Sequence, residues 1–166
     1  MSRYCGTQYS EGRKKRELAQ ADRGLRGNLR GTDPAVIPAM TIISFRDLVV
    51  WQRAMILAER VYGLTEGFPH AELYGLTSQL RRCAVSIPSN IAEGQARKTG
   101  HYLQHLDAAS GSAAELQTQL ELSFRLKLVE KRRIEPILAA AEEVGRMLHG
   151  LAASVAASQA ARNASP

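Results

Sequence analysis

His101 and His105 stand four residues apart, a spacing that on a helix turns both imidazoles toward one side. Such a pair could hold a metal ion. The residues between them are Tyr102, Leu103 and Gln104, whereas a zinc-protease helix places Glu directly after its first His, and no third ligand is evident. A solvated histidine pair is the expectation. Glu142 and Glu143 are adjacent, so on a helix they point about 100° apart and do not form a di-metal set. Residues 94–100, Gly-Gln-Ala-Arg-Lys-Thr-Gly, lack both the preceding strand and the Gly-Lys-Ser/Thr ending of a phosphate loop. Cys83 falls on an apolar helical face with no accompanying His and Asn, which describes a core thiol rather than a nucleophile. No constellation for acid–base or nucleophilic work emerges. The expectation is a protein that is not an enzyme and carries no metal and no cofactor.

Two groups of polar residues remain. The first is cationic: Arg81, Arg97, Lys98, Arg125, Lys127, Lys131, Arg132 and Arg133. Cations at a helix C-terminus complement its dipole, which accounts for Arg125 and Lys127. Lys131, Arg132 and Arg133 open a helix, where that explanation fails, so they are the better candidates for contact with anionic phosphates. Phosphate contacts give affinity without base specificity. The second group is a stripe of polar and small residues. Gln79, Arg82, Ser86, Asn90 and Glu93 recur at steps of three and four, and Ser112, Glu115 and Gln119 form a matching set. Solvent faces favour Lys and Glu, so these amide and hydroxyl residues are expected to be partly covered. They suit a hydrogen-bonded seam between helices or between subunits, with Arg82 against Glu93 or Glu115 as the charge pair.

These residues need elements to position them. Four helical segments are expected, at about 45–65, 72–93, 99–128 and 131–157. Ser44 and Asp47 suggest a capping box at the first. Leu48, Trp51, Met55, Ala58 and Tyr62 are its expected inner stripe. Leu73, Leu76, Leu80, Cys83, Ile87 and Ile91 mark the second, with Pro88 expected to kink it and Gly94 to stop it. Leu106, Ala109, Ala113, Leu116, Leu120 and Phe124 mark the third, where Gly111 suggests a close helix approach. Ile134, Ile137, Ala141, Val144, Leu148, Leu151 and Val155 mark the fourth. Segments of this length with short connections imply an all-α, antiparallel up-down-up-down four-helix bundle over 44–157. Residues 158–166 are expected to fray.

The composition fits that architecture. Apolar residues make up 45% of the 166-residue chain and aromatics only 5%, which favours aliphatic helix-on-helix packing. The net charge of +6 is unevenly spread. Residues 1–40 hold 8 basic and 4 acidic side chains, leaving 14 and 12 for the remainder, so overall basicity is weak support for a nucleic-acid partner. Residues 1–39 are rich in Arg and Gly without apolar period, and are expected to be a disordered basic extension. A start at Met40 would leave the domain whole, so that segment need not be translated. Two cysteines without zinc spacing, no apolar run long enough for a membrane and no signal-peptide pattern point to the cytoplasm.

Four stretches then carry a resemblance: Phe45-Arg46-Asp47-Leu48-Val49-Val50-Trp51-Gln52, Tyr74-Gly75-Leu76-Thr77-Ser78-Gln79-Leu80-Arg81-Arg82, Ser86-Ile87-Pro88-Ser89-Asn90-Ile91-Ala92-Glu93-Gly94, and Gly111-Ser112-Ala113-Ala114-Glu115-Leu116-Gln117-Thr118-Gln119-Leu120. Over residues 44–155 the chain resembles the bacterial 23S rRNA intervening-sequence proteins. The resemblance implies a four-helix bundle assembling as a homopentamer. It also implies kinship with the accessory variability protein of diversity-generating retroelements, which binds nucleic acid and a reverse transcriptase. Two functions follow as expectations: a homo-oligomer binding RNA or other nucleic acid through its basic clusters, or a protein–protein adaptor with no nucleic-acid role.

Overall fold

The computed structural model describes residues 44–97 and 101–164. The expectations for residues 1–39 and for Lys98 lie outside them. Four α-helices follow in order: α1 (Val49–Thr65), α2 (Leu76–Arg97), α3 (Tyr102–Arg125) and α4 (Lys131–Asn163). α1 packs on α2, α2 on α3, α3 on α4, and α4 closes back on α1. The arrangement is an all-α four-helix bundle, with no strand among the described residues.

Each helix starts or stops for a local reason, and several ends differ from the sequence expectation. The Ser44–Asp47 capping box forms: the Ser44 amide donates to Asp47 Oδ2 at 2.9 Å and the Arg46 amide to Ser44 Oγ at 3.3 Å. It opens a 3-10 turn, Phe45–Asp47, and α1 begins only after the extended Leu48. A second 3-10 turn, His70–Glu72, precedes α2, which therefore starts at Leu76 rather than near residue 72. α3 ends in a Schellman turn. The Leu128 amide donates to the Ser123 carbonyl at 3.0 Å and the Lys127 amide to that of Phe124 at 2.9 Å. Lys127 occupies the left-handed position with φ 59°, where glycine is usual. α4 runs on to Asn163, beyond residue 157, because its Ala-rich end contains strong helix formers and no breaker.

Pro88 lies inside α2 without ending it. Proline removes one amide donor and crowds the carbonyl four residues earlier. Side chains assist the neighbouring carbonyls: Ser89 Oγ donates to Val85 O at 2.8 Å and Asn90 Nδ2 to Ser86 O at 2.9 Å.

The core holds the inner stripes of α2, α3 and α4 nearly as expected. Leu80, Ile87 and Ile91 meet Leu106, Leu116 and Leu120, with Ile134, Val144 and Leu148 closing the bundle. Burying one such side chain is worth about 1.5–3 kcal/mol. The exceptions are Leu73, which precedes α2 and is 39% exposed, and Phe124 on α3, at 38% exposed. α1 requires a larger correction. Its core face is Val50, Ala54, Leu57, Ala58, Val61 and Leu64, so that of the expected stripe Leu48 and Ala58 are buried while Trp51, Met55 and Tyr62 are not. Met55 and Tyr62 are 37% and 43% exposed, and Trp51 is half-buried. α1 carries two overlapping apolar stripes about 100° apart, and the one containing four Leu/Val side chains takes the centre.

Gly94 does not stop α2. It is buried in the last turn of α2, and a Cβ there would lie 2.5 Å from Tyr102 Cδ2 and 2.9 Å from His105 Cβ. The close α2–α3 approach is therefore at Gly94. Gly111, where it was expected, is exposed with open space around it.

Candidate functional site

The polar stripes of α2 and α3 face one another. Ser86 Oγ and Ser112 Oγ share a hydrogen bond of 2.9 Å. Asn90 Nδ2 donates to Ser86 Oγ at 3.1 Å, and Asn90 Oδ1 lies 3.5 Å from His105 Nδ1. His105 is also 3.9 Å from Glu93 Oε2. Gln79 accepts from Arg82, and Gln119 donates to Glu115 Oε1 at 2.9 Å. The structure thus joins Ser86, Asn90 and Ser112 into one seam, half-buried along the outer edge of the α2–α3 contact. The expected pairing of Arg82 with Glu93 or Glu115 gives way to local partners. Arg82 reaches back to Gln79, and Glu93 takes Arg97 at 2.6 Å, because side chains three or four apart on one helix meet more readily than side chains across a seam. His105 is a seam residue that sequence reading set aside as solvated. No local sequence signal marks it, because its contact with Gly94 arises only when α3 packs on α2.

Cys83 sits beneath this seam, 2% exposed. Burial pushes its thiol up to about 11, reinforced by the S–H hydrogen bond and negative charge of Glu115. The thiolate is the nucleophile, so folded Cys83 should resist iodoacetamide at pH 8 and react only on denaturation, read by mass spectrometry in a Cys5→Ser background. The folded state holds the proton more tightly than the unfolded chain. Its contribution is therefore complete below pH 9 and is lost as pH rises from 9 towards 11. Rapid labelling of the folded protein at pH 8 would contradict the burial.

The cationic candidates divide between the two ends of the bundle. Arg97 closes α2 at one end. Arg81, Arg125, Lys127, Lys131, Arg132 and Arg133 gather at the other, where α1 and α3 end and α2 and α4 begin. Two of them brace the end of α1. Arg81 Nε donates to Thr65 Oγ1 at 2.9 Å while its guanidinium lies 4.7 Å from the centre of the Tyr62 ring. Arg133 Nη2 donates to Gly63 O at 3.5 Å. A guanidinium on a helix C-terminus is favourable, so Arg133 has a structural explanation that its place at the start of α4 concealed. Arg125, Lys131 and Arg132 have exposed acidic neighbours: Glu121 at 3.2 Å, Glu135 at 3.5 Å and Glu130 at 2.6 Å. α4 begins with three cations and no acidic residue in its first turn, the reverse of the usual preference.

Among the described residues no three His, Cys, Asp or Glu side chains could jointly hold a metal ion, and no helix is long and apolar enough to cross a membrane. His101 Nδ1 turns to Gln104 Oε1 at 3.0 Å, away from the seam that engages His105.

A helical bundle with an internal polar seam and a cation-rich end defines the structural class. The chain belongs to the 23S rRNA-intervening sequence protein family, whose model matches residues 46–150. A crystal structure of a protein of unknown function from the S23 ribosomal protein family of Bacteroides thetaiotaomicron shares the fold. Its TM-score is 0.58 at 23% identity, over 63% of this chain and 95% of that one. No curated protein matches the chain.

Proposed function

We propose that this chain is a non-enzymatic, self-associating cytoplasmic bundle that binds RNA through the cations at the α3–α4 end. The observation that carries the RNA reading is the convergence of Arg125, Lys127, Lys131, Arg132 and Arg133 around one turn, all exposed. Their ion pairs are with exposed carboxylates and are worth about 0–1 kcal/mol each, so a phosphate can displace them. Self-association is supported by the second apolar stripe of α1. Met55 and Tyr62 of that stripe are 37% and 43% exposed, Val85 of α2 is 44% exposed, and a second copy of the chain would cover such apolar surface. The pentamer implied by the family resemblance is the expected form.

Filter binding of a structured RNA over a salt series, with solution mass measured by light scattering, tests this reading. Affinity should fall linearly on a log–log plot as salt rises. No retention at low salt would reject RNA binding, and a monomeric mass would reject self-association. The local pairing of Arg125, Lys131 and Arg132 favours a second reading, a protein–protein adaptor whose cations serve solubility. Partners captured by pull-down would then survive RNase.

A further inference from the structure

The α3–α4 turn borders an open, solvent-facing cavity of ≈ 610 Å³. That is within the range of about 300–1,000 Å³ typical of small-molecule clefts. Three cations line it, Arg125, Lys127 and Arg133, against one carboxylate, Glu130, which Arg132 neutralises at 2.6 Å. Its wall also includes Phe124, an aromatic ring that the bundle leaves 38% exposed at the end of the α3 core stripe. Val129, buried, adds apolar surface. The Lys127 backbone is held at the rim by the left-handed turn, and its side chain is exposed there. An exposed aromatic surface beside positive charge is the pairing that proteins use to hold unpaired nucleotides, the ring for the base and the cations for the phosphate. A base inside a duplex cannot present its face to such a ring.

We infer that this cavity is a nucleotide site for single-stranded RNA: a base stacks on Phe124 while the adjoining phosphate is held by Lys127, Arg125 and Arg133. The inference rests on the RNA-binding reading above and narrows it to one site and one form of RNA. Two substitutions separate the parts. Phe124→Leu keeps an apolar side chain and removes the ring. Lys127→Gly removes the charge and suits the φ of 59° better than lysine does, so the turn is retained.

The experiment is fluorescence anisotropy of the full chain with a labelled single-stranded oligoadenylate and, separately, a blunt RNA duplex of equal charge, from 50 mM salt upward. Circular dichroism confirms the fold of each variant. Phe124→Leu should bind the single strand about tenfold more weakly and the duplex unchanged. Lys127→Gly should lower the single-strand salt slope by about 0.7. If both RNAs bind and Phe124→Leu matches the wild type on the single strand, the nucleotide site is wrong and the general RNA reading stands. Equal losses on single strand and duplex likewise overturn stacking. If neither RNA binds the wild type at 50 mM salt, both readings fall together.

Discussion

Gly94→Ala should destabilise the bundle by about 1–3 kcal/mol, whereas Gly111→Ala should stabilise it by about 0.5–1 kcal/mol. The same methyl group is added to two neighbouring helices, so the intrinsic gain in helix propensity is shared. The surroundings decide the sign. At Gly94 the new carbon would fall 2.5 Å from the Tyr102 ring and 2.9 Å from His105 Cβ, and one of those contacts belongs to a buried ring. Relief requires α2 and α3 to separate, which would also stretch the Ser86–Ser112 hydrogen bond of 2.9 Å. At Gly111 no atom lies within 4 Å of the added carbon. Urea unfolding followed by circular dichroism reads both. Equal shifts in the two variants would show that the α2–α3 approach at Gly94 is looser than described.

That contrast locates the limit of what the sequence disclosed. Periodicity found the core of α2, α3 and α4, because each has a single apolar stripe and only one way to bury it. α1 has two. Trp51, Met55 and Tyr62 repeat as cleanly as Val50, Leu57 and Leu64, and periodicity alone cannot rank them. The choice is made by α2 and α4, which approach from particular directions. Glycine reading failed for a related reason. Gly94 follows a periodic segment and so resembles a stop, yet its function is to let Tyr102 and His105 close on α2. Only the partner helix reveals which glycine is a contact. The polar stripes were legible because amides and hydroxyls at helical spacing are uncommon on a free surface, and Ser86, Asn90 and Ser112 do meet. Their pairing was less legible. Arg82 had several carboxylates within notional reach, and the nearest amide, Gln79, took it. The basic end was visible as composition, but the contact that spends part of Arg133 on Gly63 spans 70 positions and leaves no local trace.

The combined variant Lys131→Ala, Arg132→Ala, Arg133→Ala should lose RNA affinity about a hundredfold at 0.1 M salt, with its salt slope reduced by about 2–3, while the fold stays within about 1 kcal/mol of the parent. The near-neutral effect on stability follows from opposing terms. The variant loses exposed pairs to Glu135 and Glu130 and the Arg133 contact to Gly63. It also removes three positive charges from the positive end of the α4 dipole and replaces them with the best helix former. On these terms the three residues contribute little net stability to the bundle, which is why affinity and stability can be read separately in this variant. Filter binding over a salt series, beside a urea titration of the same preparations, separates the outcomes. Unchanged affinity with unchanged stability would remove the start of α4 from the RNA surface. Lost affinity accompanied by a large loss of stability would assign the three cations to holding the ends of α1 and α4 together.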